Sequence, residues 1–141
     1  MSIKPYEHKA QYYETDQMGI IHHSNYIRWF ESARIDFMKQ MGVSYRAMEE
    51  SGIISPVLSV FCEYKSMVHF DDEVLIIPVI QSYNGVKLCI SYTITDKKTG
   101  DVRTTGESKH CFLNKEGRPI SLKKEAPVFH ELFMKYTPAG K

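Results

Sequence analysis

Between Asn25 and Met41 the apolar residues Tyr26, Trp29, Phe30, Ala33, Phe37 and Met41 recur every three or four positions. That spacing predicts a helix with one heavily aromatic face. Ser24 or Asn25 is suited to cap its start, and Gly42 to the left-handed position just past its end. A stripe so large must be buried, and the rest of the chain offers mainly strands to bury it. From Val57 onward the period drops to two. Leu58, Val60, Cys62 and Tyr64 share one parity in 57–68. A near-continuous apolar run spans 74–83, where Pro78 points to an edge or a bulge. Asn84-Gly85 marks a hairpin. Val86, Leu88, Ile90, Tyr92 and Ile94 then alternate with Lys87, Cys89, Ser91, Thr93 and Thr95. Thr99-Gly100-Asp101 turns the chain into a last strand over 102–113. Ahead of the helix, Tyr6, His8, Ala10 and Tyr12 share one parity and suggest a first strand over 6–13. A short helix is expected over 44–50, closed by Gly52. Another follows Pro127, with Phe129, Leu132, Phe133 and Tyr136 on one side.

The expected order is strand, long helix, four antiparallel strands. One helix cannot cover both faces and both edges of five strands, and open edges are normally paired or protected. A dimer whose sheets join or whose helices pack together is therefore expected.

Several function classes drop out on composition. With 141 residues, 43% of them hydrophobic and 25% charged, the chain suits one globular domain. A net charge of +1 with no lysine–arginine run argues against nucleic acid as partner. No apolar stretch approaches a membrane span of roughly 18 residues, and residues 1–5 lack the apolar run of a signal peptide. Cys62, Cys89 and Cys111 are odd in number and widely spaced, which fits free thiols in a reducing compartment better than a disulfide framework. A cytoplasmic protein with a small-molecule partner is expected, with neither membrane nor nucleic acid involved.

Chemistry concentrates in the loop 14–24. Asp16 stands seven residues before His23, where the helix begins, with Gly19 between them. A helix start presents unpaired N–H groups and the positive end of a dipole. Such groups hold a developing oxyanion while a carboxylate attacks, or directs water at, the adjacent carbon. That pairing suits acyl transfer. Asp16 would act as nucleophile or as general base, and the spacing leaves both open. The plain alternative for Asp16 is a solvated turn former. The His23 side chain has capping or packing as its plain alternative. His22 and His23 alone make no zinc site, which needs three or four protein ligands.

The segment Tyr12-Tyr13-Glu14-Thr15-Asp16, Gly19, His23, Asn25-Tyr26 and Phe30-Glu31-Ser32-Ala33-Arg34 resembles the signature of the 4-hydroxybenzoyl-CoA thioesterase-like acyl-CoA thioesterases. Gly106, His110 and Phe112 also fit that family's pattern. The resemblance implies an α+β hotdog fold, a five-stranded antiparallel sheet wrapped around one long central helix, with residues 1–141 as a single domain. It implies hydrolysis of an acyl-CoA to free acid and CoA, without a cofactor or metal, in sites shared within a homodimer or homotetramer. By position, Asp16 matches the family's catalytic aspartate and the His23 N–H its carbonyl-polarising donor. Gly19 matches a glycine that lets the loop pass the substrate. Tyr12 and the His23 side chain match polar residues of the bacterial short-chain branch.

Other residues have weaker claims. Glu31 is expected to pair with Arg34 one turn on. It is kept as an alternative carboxylate because some hotdog enzymes place theirs on this helix. Lys65 and Lys87 are candidates for the CoA phosphates, since no glycine-rich phosphate loop is present. Trp29, Phe30 and Phe37 read as core. A hotdog hydroxyacyl dehydratase lacks support, because its His-Phe-Pro-Gly type segment is absent. A non-catalytic acyl-CoA binding protein would have no need of Asp16.

Overall fold

The structure, a computed structural model, describes residues 3–138; Met1 and Ser2 of the segment tested for a signal peptide lie outside it. The period-two segments form β2 (Val57–Tyr64), β3 (Glu73–Tyr83), β4 (Lys87–Asp96) and β5 (Val102–Cys111), joined by a short β1 (Tyr6–Lys9). All pairings are antiparallel, in the order β1-β3-β4-β5-β2. The long helix α1 (Ser24–Met41) lies across one face and is followed by α2 (Tyr45–Glu50). Two short helices, α3 (Leu122–Glu125) and α4 (Pro127–Lys135), close the described chain; α3 has no counterpart in the sequence reading. This is the α+β hotdog arrangement.

Every residue of the aromatic stripe on α1 is buried, with at most 4% exposure. Phe30 stacks on Tyr92 of β4 at 4.4 Å between centroids and 10° between planes. Gly106 of β5 makes that approach possible. A Cβ there would stand 2.5 Å from the Phe61 carbonyl oxygen and 2.6 Å from Phe30 Cε2. The helix ends as the sequence predicts, at Gly42 with φ 96°, whose N–H donates back to Lys39 and Met38 carbonyls.

Pro78 sits where its missing N–H does no harm. β1 covers β3 only from Glu73 to Ile76, and the register slips between Ile80 and Ser82. Of the edge or bulge expected there, Pro78 takes the edge: it keeps register with Tyr92, and the slip lies beyond it. Three strand ends differ from expectation. The strand read over 57–68 stops at Tyr64, where the Lys65 and Ser66 N–H groups both turn to the Arg103 carbonyl. The last strand stops at Cys111, because Leu113 leaves the β4–β5 ladder to bridge Ile54 and Pro119. The first stops at Lys9 rather than 13. Tyr12 instead begins a 3-10 turn, Tyr12–Glu14, since the Glu14 side chain turns back to take the Gln11 N–H.

β2 is the longer of the two edge strands. Leu58 and Phe61 are more than half exposed, and Val57, Val60 and Tyr64 are exposed as well. On α1, Ile27 and Ile35 are exposed one and three turns in, with exposed Glu31 between them. All three cysteines are free.

Candidate active site

The site is suspended from Glu14, a carboxylate only 5% exposed. Its Oε1 accepts from the Gln11 N–H at 2.8 Å and from His8 Nε2 at 2.9 Å, and its Oε2 from Trp29 Nε1 at 2.8 Å. Burial alone would raise its pKa. The donated bonds from Gln11, His8 and Trp29 outweigh that and hold it below the usual carboxylate range. The Glu14 carbonyl accepts the His22 N–H at 2.8 Å and the buried Asn25 Nδ2 at 2.9 Å. Asn25 is therefore no helix cap; it ties the first turn of α1 to the loop.

Beyond Glu14 the chain makes a miniature hairpin. Thr15 bridges Ile21, the Asp16 N–H donates to the Ile20 carbonyl at 2.8 Å, and the Gly19 N–H returns to the Asp16 carbonyl at 3.1 Å. Gly19 has φ +79°, the left-handed position such a turn requires. The turn thus calls for glycine, and a Cβ on it would meet no atom of the chain within 4 Å. Asp16 Oδ1 accepts the Met18 N–H at 2.7 Å, which orients the carboxylate and leaves Oδ2 without a hydrogen bond among the described residues.

At the start of α1 the amides sort themselves. The Ser24 N–H donates to His22 Nδ1 at 3.2 Å, Asn25 to the His22 carbonyl at 3.0 Å, and Tyr26 to the His23 carbonyl at 3.4 Å. The His23 N–H has no acceptor among the described residues. Tyr64, at the end of β2, donates its hydroxyl to the His23 carbonyl at 3.1 Å.

Asp16, His23 and Lys65 line one cleft of about 340 Å³, walled by Met18, Ile20, Ile21, Tyr26, Tyr64, Ser66 and Met67. Its far wall is fixed from behind. The Lys65 and Ser66 N–H groups both donate to the Arg103 carbonyl, and the Arg103 guanidinium bridges Ser66 Oγ and Asp96, each at 3.1 Å. An apolar cleft lined both by a carboxylate and by a residue with a free helix-start amide has the groups needed to polarise a carbonyl and deliver a nucleophile to it.

The thioesterase-like superfamily matches residues 11–134. The chain belongs to that superfamily. A Bacillus subtilis protein with the provisional name acyl-CoA thioesterase YneP is 34% identical over 136 residues, 96% of this chain and 98% of its own length. The crystal structure of a DHNA-CoA thioesterase from Staphylococcus aureus is 35% identical, with a TM-score of 0.89 over 94% of this chain and 89% of that one. Another Staphylococcus aureus protein, solved in complex with CoA, shares the fold at 19% identity, with a TM-score of 0.82 over 100% of this chain and 91% of its own. By membership the chain is an enzyme, a thioesterase of hotdog fold.

Of the other candidate residues of this thioesterase, Tyr12, Glu31 and Lys87 lie away from the cleft in the single chain. Tyr12, placed on the first strand by its parity, is 76% exposed in the 3-10 turn and packs edge-on against Phe70 at 5.7 Å, outside the cleft. Glu31 is exposed on the outer side of α1 and forms no salt bridge with Arg34 among the described residues. The Arg34 charge instead acts on buried Tyr92 and His110: burial raises the pKa of the first and lowers that of the second, and Arg34 draws both down. Lys65 is at the cleft but already paired with Glu63. Lys87 lines a separate depression of about 310 Å³ together with Lys109 and Asn84.

Tyr64, Glu14 and Ser66 are the residues that sequence reasoning missed as parts of the site. The signal for Glu14 was present, an acidic residue three positions after Gln11 in a capping box. Nothing local announces that the Tyr64 hydroxyl reaches residue 23. A Ser–His pair also exists in the fold: Tyr92 bonds Ser108 Oγ at 2.7 Å, which bonds His110 Nε2 at 2.7 Å. Ser108 and His110 are each 1% exposed, and through Tyr92 the pair ties β5 to β4 within the core. Among the described residues no cluster of three or more His, Cys, Asp or Glu is placed to hold a metal, and no helix is long and apolar enough to cross a membrane.

Proposed function

We propose that the chain hydrolyses acyl-CoA thioesters to the free acid and CoA, with Asp16 and the His23 N–H as the working groups. One observation carries this reading: His23, whose N–H at the start of α1 has no acceptor among the described residues, lines the same cleft as Asp16. Relatives named as acyl-CoA and DHNA-CoA thioesterases at 34% and 35% identity support the substrate class.

In this mechanism the thioester carbonyl oxygen accepts the His23 N–H at the positive end of the helix dipole. The dipole stabilises the negative charge that develops there. Asp16 either attacks the carbonyl carbon, expelling CoA thiolate and leaving a mixed anhydride for water to cleave, or takes a proton from the water that attacks. Met18, Ile20, Tyr26 and Met67 give the acyl group an apolar wall, and no metal or cofactor takes part. Lys65 lies at the cleft for the CoA phosphates, and Lys87 serves them only from a partner chain. The free thiols fit a cytoplasmic setting.

The enzyme works as a homodimer in this reading. Exposed Leu58, Val60, Phe61 and Tyr64 on edge strand β2, beside Ile27 and Ile35 of α1, form the surface a second copy covers. Because Tyr64 and Lys65 line the cleft, that partner stands next to the site.

A panel of acyl-CoAs assayed with a thiol reagent for CoA release tests the proposal. Asp16→Asn is expected to lower turnover by about 10²–10⁴-fold, the usual range for a positioned acid–base group, with an unchanged melting temperature. Full turnover in that variant overturns the mechanism, and binding without CoA release by the native chain overturns the activity.

A further inference from the structure

The sequence marks His22 only as half of a histidine pair that cannot hold zinc. The structure gives it a place of its own. His22 Nδ1 lies 2.9 Å from Ser24 Oγ and 3.2 Å from the Ser24 backbone nitrogen. An amide only donates, so Nδ1 is the acceptor and the neutral ring carries its proton on Nε2. Nδ1 is attached to Cγ, as is the Oδ1 of Asn or Asp, and so has the reach those residues use to cap helices. His23 already has helical angles, φ −55° and ψ −29°, and no side-chain cap of its own. His22 thus occupies the capping place. Its ring takes the Ser24 N–H, its carbonyl takes the Asn25 N–H, and its own N–H is anchored on Glu14. The His23 N–H is the amide left over.

We infer that His22 is a positioning residue whose neutral imidazole caps α1 and aims the His23 N–H at the thioester carbonyl. The inference rests on the reading of that amide as the oxyanion donor. The His22 ring also stacks on the His23 ring at 4.2 Å and 28°, so accepting and stacking must be separated experimentally.

Two variants of the full chain do so, assayed on the acyl-CoA the native enzyme turns over fastest. His22→Phe keeps a ring and loses the acceptor; His22→Asn keeps the acceptor and loses the ring. His22→Phe is expected to lower kcat about tenfold or more with KM little changed, since losing such a donor outright costs about 10²–10³-fold. His22→Asn is expected to restore kcat close to the native value. Equal kcat in both variants, whether native or reduced, overturns the inference, as does a loss in His22→Phe confined to KM. A second measurement holds even if a variant fails to fold. Nitrogen-15 NMR of the native chain should show His22 protonated on Nε2 at neutral pH, and a proton on Nδ1 overturns the assignment. These outcomes leave the catalytic reading to its own test, because native hydrolysis lost in Asp16→Asn stands whatever position 22 does.

Discussion

Glu14 illustrates how one side chain decides both local conformation and reactivity. Its carboxylate ends β1 by drawing in the Gln11 N–H, and it locks Trp29 of α1 in place. Glu14→Gln keeps the shape but turns an amide N–H₂ toward groups that donate. Breaking such a buried charge-assisted set costs about 2–4 kcal/mol, measurable as a lower urea midpoint. The lowered carboxyl pKa also has a pH signature. The native state binds fewer protons there than the unfolded chain, so the stabilisation is complete above the ordinary carboxylate pKa. It is lost as pH falls through the lower folded value. The glutamine variant should lack that acid-side loss. At Tyr64 a smaller change is expected. Tyr64→Phe removes only the hydroxyl that holds the His23 carbonyl, so kcat should fall with little change in melting temperature. Steady-state kinetics beside a thermal melt checks both halves of that statement.

Among the elements, α1 and the strands from β2 to β5 were legible in the sequence because their apolar periods are long and uninterrupted. Pro78, Gly42 and the alternation of β4 each carried their structural meaning openly. The end of β1 was not legible. Alternation through Tyr12 competes with a capping contact from Glu14, whose partners include Trp29, fifteen residues away. The site divides in the same way. Asp16 and His23 follow from spacing before a helix, whereas Tyr64 reaches residue 23 only once β2 folds back beside α1. Position 106 tests the packing of helix on sheet. Gly106→Ala places a methyl against Phe30 and the Phe61 carbonyl, and overpacking of this kind costs about 1–3 kcal/mol. β5 supplies a pH-dependent element too. Burial, with the Arg34 charge second, lowers His110 to about 4 from 6.5. The unfolded chain therefore binds a proton between those values that the folded chain refuses, and stability drops as pH falls from 6.5 toward 4. The shift amounts to roughly 3 kcal/mol at about 1.4 kcal/mol per unit. Urea midpoints across that window should show the ramp in the native chain and its loss in His110→Asn.

For the whole molecule, the exposed β2 edge and the outer stripe of α1 carry the expectation of a homodimer. Val60→Lys puts a charge on that surface without entering the core, since Val60 is 38% exposed in the single chain. Sedimentation should then show a shift toward the single chain, and CoA release should fall with the dimer fraction. An unchanged sedimentation coefficient would place the contact elsewhere. The central claim concerns two groups and one carbonyl, and a crystal structure with a non-hydrolysable thioether analogue of an acyl-CoA measures it directly. The account predicts the analogue's carbonyl oxygen within about 2.7–3.2 Å of the His23 nitrogen, with the Asp16 carboxylate facing its carbonyl carbon. A carbonyl bound out of reach of that amide, or on the side away from Asp16, would contradict it.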